Sequence, residues 1–437
     1  MILGIDIGTS TLSIVLADSD GRLAASRTLR NESALPGQRF NRLQDPEWIF
    51  NAVEREYLRL RAEHPIHAIG ITCQMHGILY VNAQGRAVSP LYTWEDETGQ
   101  QQAPEGESYL DALNALTGAG LIKGIAYGSL THFALTRSGQ LPDGAVCFCS
   151  IGDYVGLRLT RQTKPRVHVS IAASFGLYDL RSRCFDAGAI RRAGMDPAWF
   201  PEILTGTTCL GRDGFGVPVS VAIGDNQASF LGSVTDFDSE ILLNLGTGGQ
   251  ISCYSAEIVG DAQIDTRPLL EDSYLAVYTS HCGGRAYAAL EQFFREVLQL
   301  AGVPSESLYA RMNAAAEQGP SALPIQVNTC FCGSRQNPDA VCSMDGITLE
   351  NFTPRDMILG FMTGVCRELY PFFEALSRTR RFQSITGSGN LIRRNPAMRT
   401  VIEQVFALPL KLSEITEEAA MGSIRFANLM SGGDKNV

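Results

Sequence analysis

The sequence predicts an α/β protein of two similarly built domains, each a mixed sheet flanked by helices, with a cleft between them. Three observations predict it. An apolar strand that turns at Gly-Thr occurs twice, as Ile5-Asp6-Ile7-Gly8-Thr9-Ser10 and as Leu243-Asn244-Leu245-Gly246-Thr247-Gly248. Between the copies an apolar run ends in an acidic turn, Gly224-Asp225-Asn226. A chain of 437 residues also exceeds what one hydrophobic core of ordinary size organises. We therefore divide it into residues 1–232 and 233–437.

Composition bounds the function. Hydrophobic residues make up 45% and charged residues 19%, enough apolar side chain for a core in each half. A net charge of -10 argues against nucleic acid or an anionic membrane as partner, because phosphate backbones need basic surface. A single nucleotide remains compatible, since backbone N–H groups, a few hydroxyls and Mg²⁺ can hold its phosphates. The cysteines number 11 and include the close pairs Cys147/Cys149 and Cys330/Cys332. Neither pair has zinc-site spacing, so they read as reduced structural thiols. The N-terminus lacks a basic, apolar leader, and no apolar run reaches the length of a membrane helix. The expectation is a cytoplasmic protein, and a homodimer is compatible with the sequence.

The elements follow in order. Met1–Ile7 is a buried strand, Gly8-Thr9-Ser10-Thr11 its turn, and Leu12–Ala17 the return strand. Glycine lets the backbone approach a phosphate, while Thr9 and Ser10 add hydroxyls. Asp6 at the floor would face a metal. An ordinary hairpin is the alternative; the second copy at Gly246 and Thr247 favours a pair that grips one polyanion. Asp45-Pro46-Glu47 starts a helix that runs to about Glu63, and Ala68–Cys73 is the next strand. Strand, helix and strand imply a crossover onto one sheet.

Polar residues after a buried strand are where open α/β sheets place ligands. Gln74 and His76 follow Cys73 and could hydrogen-bond hydroxyls, although a histidine satisfied within its loop is equally compatible. Trp94 beside Asp96 suits a sugar, which stacks C–H faces on rings and donates hydroxyls to carboxylates; a tryptophan covering the core edge remains the alternative. Gln100–Glu107 reads as a polar loop. Asp111–Thr117, Ser129–Thr136 and Ser150–Leu159 read as helices, Ile171–Tyr178 as a strand edge and Arg192–Trp199 as a small helix. Val217–Ile223 is a strand that delivers Asp225, placed either to take a proton from an attacking hydroxyl or merely to cap the helix behind it.

The second half repeats the plan, with strands at Ile241–Leu245, Gln250–Tyr254 and Tyr274–Ser280 and a helix from about Ala286 to Leu300. A further helix is expected over Ser305–Glu317, an irregular segment over Val327–Gly346, and a long helix from Thr353-Pro354 to about Leu376. Ser384-Ile385-Thr386 runs into Gly387-Ser388-Gly389-Asn390, where glycines at a strand end suit close approach of a flat ring such as adenine. Asn395-Pro396 starts a helix, Leu410–Leu412 is a strand, and Glu417–Met430 is a final small-residue helix before a polar tail.

The ordered set Asp6–Ser10, Gln74–Gly77, Thr93–Asp96, Gly224–Gln227, Leu245–Gly248, Gly387–Asn390 and Glu418–Gly422 resembles the actin-like ATPase superfamily and, within it, the FGGY carbohydrate kinases. Longer stretches are similar to sedoheptulokinases: SPLYTWEDETG from Ser89, NLGTGGQIS from Asn244, HCGGRAYAALEQFF from His281, GSRQNP from Gly333 and GSGNLIRRNPAMR from Gly387. The resemblance implies two actin-like (ribonuclease H-like) domains. It implies ATP-dependent phosphorylation of a sugar hydroxyl, sedoheptulose giving its 7-phosphate. Asp225 would be the catalytic base. Gln74, Met75, His76, Trp94, Asp96 and Asn226 would serve the sugar. Thr9, Ser10, Gly246 and Thr247 would line the phosphates, and Gly387, Ser388, Gly389 and Asn390 would back the adenosine. Asp6 and Asp225 would hold Mg²⁺ through water.

One position departs from the pattern. Thr98 stands where relatives carry Arg, so a planar donor fork is missing, and Glu97 adds negative charge that disfavours an already phosphorylated substrate. A kinase for xylulose or glycerol, and a non-enzymatic actin-like ATP-binding switch, are the rival readings. The sequence holds no G-x-x-x-x-G-K-[ST] loop, which excludes a P-loop kinase.

Overall fold

The computed structural model describes residues 1–437 except 104–105, 119–126, 262, 305, 320–323, 334–336, 338, 414 and 433–437. Part of the expected polar loop at 100–107, most of the GSRQNP stretch and the end of the tail therefore lie outside the described residues. The chain forms two compact units. One comprises Met1–Gly232, Arg267–Tyr274 and Ile415–Val437; the other comprises Ser233–Thr266 and Leu275–Glu414. The division is thus not a single cut at 232: two later segments fold with the first unit.

The first unit is built on a mixed sheet. Ile2–Ile7 pairs antiparallel with Thr11–Ala17, which pairs antiparallel with Leu23–Arg30. On its other side Ile2–Ile7 pairs parallel with Ala68–Cys73. Pro218–Ser220 and Ile223–Gly224 both add to Ala68–Cys73 in parallel, and Cys209–Arg212 closes the order. The crossover between the two central parallel strands is the helix Pro46–Glu63. Asp45 caps it, accepting from the Glu47 and Trp48 N–H groups, and its Ile49, Phe50, Val53, Tyr57 and Leu60 are buried.

The C-terminal helix, Glu418–Met430, covers the same sheet and shows why its residues are small. A Cβ at Gly70 would lie 2.0 Å from the Ser423 carbonyl oxygen, and one at Gly422 would lie 1.7 Å from that of Ala228. Backbone meets backbone at both places, so only glycine fits. Sequence position assigns this helix to the second half; packing assigns it to the first.

The second unit repeats the motif. Glu240–Leu245 pairs antiparallel with Gly249–Ser255 and parallel with Ser384–Ser388, which pairs parallel with Leu410–Leu412. Tyr274–Ser280 lies on the far side of Gly249–Ser255. The long helix Pro354–Ser377 is capped by Thr353 and buries Ile358, Phe361, Val365, Leu369 and Phe372 against this sheet's core. The expected helices at 286–300 and 305–317 appear as Gly284–Leu300 and Tyr309–Ala316. The irregular stretch contains a short antiparallel pair, Gln326–Asn328 with Ser343–Asp345.

Two local expectations fail. Residues 171–178 are not a strand edge: Val169–Phe175 is a helix, with the His168 ring accepting from the Ser170 N–H and Gly176 ending it. Ala172 and Ala173 favour helix, the His168 cap starts it and Gly176 stops it, so only Tyr178–Asp179 is strand. Helix formation near 192–199 is displaced to Ala187–Arg192, capped by Asp186, with only a 3₁₀ turn at Pro197–Trp199. Among the described residues no helix is long and apolar enough to cross a membrane.

Candidate active site

The first unit gathers its polar residues at one sheet edge because three parallel strands end there together. Asp6 lies in register with Thr72, and Thr72 with Ile223. One residue beyond Cys73 the chain delivers Gln74, whose N–H donates to the Ile7 carbonyl at 2.9 Å. Two residues beyond Ile223 it delivers Asp225, the first residue of the helix Asp225–Ser233. Asp6 and Asp225 are both half-buried. Burial, then the carboxylates of Asp225 and Glu417, pushes the Asp6 carboxyl up to about 8. Burial also raises Asp225, opposed by hydrogen bonds from Asn226 and by the Arg267 guanidinium.

Asn226 fixes the Asp225 carboxylate. Its N–H and its side-chain Nδ2 both donate to Oδ1, at 2.8 and 3.2 Å. The Asn226 amide is itself oriented, because Arg267 Nη1 donates to its Oδ1. Arg267 enters from the strand Asp265–Pro268, and Gln227 Nε2 donates to the Pro268 carbonyl at 2.9 Å, tying that strand to the same helix. Sequence reasoning missed Arg267: it lies 41 residues from Asn226, and no local pattern marks it.

The first Gly-Thr turn is held by side chains. Trp94 Nε1 donates to Thr9 Oγ1 at 2.8 Å, and Thr9 Oγ1 donates to Gln74 Oε1 at 3.1 Å. Gln74 Nε2 donates to Gln44 Oε1 at 2.9 Å, and Gln44 Nε2 returns to the Thr9 carbonyl at 2.8 Å. The structure thus closes Thr9, Gln74 and Gln44 into one ring, with Trp94 bonded to it through Thr9; Gln44 is a second residue without a sequence signal. Trp94 is 47% exposed, which leaves indole surface for stacking. Ser10 is exposed, and its carbonyl accepts from the Asn31 N–H at 2.9 Å.

Three other residues take different positions. Met75 is buried, and a Cβ at Gly224 would meet its sulfur at 2.7 Å, so Met75 packs beneath the Asp225 turn. His76 adopts φ 71°, its N–H donates to Ser174 Oγ at 3.1 Å, its Nδ1 lies 2.8 Å from the Ser174 carbonyl, and its ring packs on Tyr127 at 4.8 Å. Asp96 corrects the expectation of a sugar contact. It is 0% exposed, and it accepts from the Arg42 N–H at 3.0 Å, the Thr98 N–H at 3.0 Å and Asn41 Nδ2 at 3.3 Å. A carboxylate so engaged positions the loop around residue 41 and offers no surface to a ligand.

In the second unit the turn after Leu245 is held by backbone. The Gly284 N–H donates to the Gly246 carbonyl at 2.7 Å and the Arg285 N–H to the Thr247 carbonyl at 2.9 Å. Asn244 is in register with Ser388, which is buried, so Gly246, Thr247, Gly387, Ser388, Gly389 and Asn390 share one sheet edge. Gly389, at φ 87°, precedes the short helix Asn390–Arg393.

Among the described residues no group of three or more His, Cys, Asp or Glu converges as a metal cage. Mg²⁺ does not need one: it keeps several waters and binds through one or two carboxylates together with substrate phosphates. Asp6 and Asp225, close enough that the Asp225 carboxylate raises Asp6, fit that donor set.

Residues 1–232, more than half of the chain, match the FGGY family of carbohydrate kinases, N-terminal domain. The chain belongs to this family of carbohydrate kinases. FGGY relatives cover it almost completely. The sedoheptulokinase of Mus musculus is 26% identical over 95% of this chain and 95% of that protein. The gluconokinase of Bacillus subtilis (strain 168) is 22% identical over 97% of this chain and 86% of that protein. The fold agrees with the gluconate kinase from Lactobacillus acidophilus at a TM-score of 0.84, with 19% identity over 99% of this chain and 90% of that one. The xylulose kinase from the same organism gives 0.82, with 19% identity over 99% and 90%. This FGGY protein is therefore an enzyme of the sugar-phosphotransferase class.

Proposed function

We propose that this FGGY kinase transfers the terminal phosphoryl group of ATP to a terminal hydroxyl of a ketose, with sedoheptulose, giving sedoheptulose 7-phosphate, as first candidate. The observation that carries the reading is the sheet edge of the first unit. There a half-buried Asp225, oriented by Asn226, stands beside Asp6, on the sheet edge that also carries Thr9, Gln74 and, bonded to Thr9, Trp94. Sedoheptulokinases among the full-length relatives support the choice of sugar.

In this reading the first unit binds the sugar and supplies the base, and the second unit carries most of the nucleotide contacts. A sugar hydroxyl is a poor nucleophile, and Asp225 accepts its proton as the new P–O bond forms. Both Asn226 bonds fall on Oδ1, which leaves Oδ2 for that hydroxyl. Trp94 gives the sugar an apolar face, while Gln74, His76 and Asn226 donate or accept at its hydroxyls. Thr9, Ser10, Gly246 and Thr247 offer N–H and hydroxyl groups to phosphate oxygens. Gly387–Asn390 back the adenosine. Mg²⁺, when bound with ATP, neutralises phosphate charge, and Asp6 and Asp225 would hold it through water. The protein works in the cytoplasm.

A second sugar is favoured by one specific feature, Thr98 in place of the arginine of relatives, which removes a bidentate donor. ADP release measured over sedoheptulose, xylulose, gluconate and glycerol decides between them. Sedoheptulose is expected to give the highest kcat/KM. A higher value with another sugar replaces the substrate, and hydrolysis indifferent to every sugar replaces the kinase by an ATP-binding switch.

A further inference from the structure

Outside the sugar and metal residues, one nucleophilic cluster lies beside the second Gly-Thr turn. Cys282 is fully buried and Cys332 is exposed. Arg285 Nη1 donates to Cys332 Sγ at 3.4 Å, and the Cys282 thiol is hydrogen-bonded to the same sulfur. We propose that Cys282 and Cys332 form a thiol–disulfide pair that responds to hydroperoxides and, when closed, weakens nucleotide binding at the adjoining Gly246–Gly248 turn.

The chemistry is that of a reactive thiol with its resolving partner. Hydrogen bonds from Arg285 and Cys282 hold the Cys332 thiol below the ordinary thiol range, whereas burial, then the Cys332 bond, pushes Cys282 up to about 11. One sulfur is therefore exposed and more readily ionised than an ordinary thiol, and the other is buried and less so, the arrangement that favours attack by the first and resolution by the second. The Cys332 thiolate attacks one oxygen of hydrogen peroxide, the O–O bond breaks, and the other oxygen leaves as hydroxide. The resulting sulfenic acid is displaced by the Cys282 sulfur: the S–S bond forms and the hydroxyl leaves as water with the Cys282 proton. The two sulfurs together lose two electrons, and the peroxide ends as one water and one hydroxide, which takes a proton from solvent to become the second water.

The link to the turn is steric. Cys282 is followed directly by Gly283 and Gly284, and a Cβ at Gly283 would lie 2.3 Å from the Gly248 carbonyl oxygen. Gly284 and Arg285 donate to the Gly246 and Thr247 carbonyls. A buried sulfur drawn toward Cys332 moves the backbone that holds the turn. This consequence rests on the proposed nucleotide role of Gly246 and Thr247; formation of the disulfide does not.

The test exposes the full-length reduced protein to hydrogen peroxide, digests it without reductant and identifies linked peptides by mass. The expected product joins the Cys282 and Cys332 peptides, two hydrogens lighter than their sum. Cys282→Ser and Cys332→Ser should abolish it, and Cys330→Ser should retain it. Iodoacetamide should label Cys332 several-fold faster at pH 7 than the exposed Cys184 and Cys209. ATP affinity should fall at least threefold on oxidation and return with dithiothreitol. No linked peptide, or labelling of Cys332 no faster than of Cys184, overturns the pair. A linked peptide with unchanged ATP affinity overturns the switch. Reduced protein that binds no ATP at all instead overturns the kinase reading, so the two failures are distinguishable.

Discussion

The two Gly-Thr hairpins share a backbone and differ in charge. In the first, Asp6 faces Ser13 across the antiparallel pair and Thr72 across the parallel one; in the second, Asn244 takes the same place, facing Gln250 and Ser388. The first turn is braced by the side chains of Trp94, Gln74 and Gln44, the second by the backbone of Gly284 and Arg285. One strand–turn–strand solution has been kept twice, while the acid has been kept once. At the matching strand position the first unit thus carries an acid, Asp6, and the second a neutral amide, Asn244. In the proposed reading, an acid at the second turn would repel phosphate and Asn244 does not.

The largest expected effect comes from removing the acid that the second unit lacks altogether. Asp225→Asn should lower kcat by roughly 10²–10⁴-fold or more while KM for ATP and sugar changes far less. Turnover near that of the wild type would leave Asp225 as a mere helix start.

Asp6→Asn makes the first hairpin resemble the second. We expect activity to fall by roughly 10–100-fold, with a higher Mg²⁺ requirement, the size typical of disturbing a metal's supporting shell. The same variant tests stability. Because the folded-state value of Asp6 is raised from 3.8 to about 8, the protonated form stabilises the fold below about pH 4, and that contribution is lost as pH rises through 8. Without Mg²⁺ the wild-type Tm should therefore drop from pH 5 to pH 8.5 more than that of Asp6→Asn. Equal slopes in thermal melts would show that Asp6 ionises as an ordinary surface carboxyl.

A smaller effect is expected where a side chain acts on the base through another. Arg267→Met should reduce kcat by about tenfold, the scale of one hydrogen bond from a charged donor, with little change in sugar KM. Arg267→Lys, which can still donate to Asn226, should recover part of the loss. Equal defects in both variants, or a defect in KM alone, would reduce Arg267 to a structural tie.

The smallest effect belongs to the brace of the first turn. Thr9→Val removes the acceptor for Trp94 and the donor to Gln74, at about 1 kcal/mol per bond. KM for sugar or ATP should rise a few-fold with kcat nearly kept. A loss as large as that of Asp225→Asn would mean that the two turns differ less in function than in charge.

Much of this molecule is legible from short stretches, because the signals that specify it act over three or four residues. Asp45-Pro46, Thr353-Pro354 and Asn395-Pro396 each start a helix where expected, the capping side chain reaching an N–H two or three positions on. Alternating apolar residues likewise determined both hairpins, and the order of the motifs pointed to the family. What only the tertiary structure decided are relations across long separations. Burial turned Asp96 from a sugar ligand into a loop support, and packing against Gly70 placed the last helix with the first unit. Pairing over 41 residues brought Arg267 to Asn226, and pairing over 35 brought Gln44 to Thr9. Such contacts leave no mark in a local pattern, since their partners are chosen by the space left when the sheet and its helices close, not by the residues on either side of them.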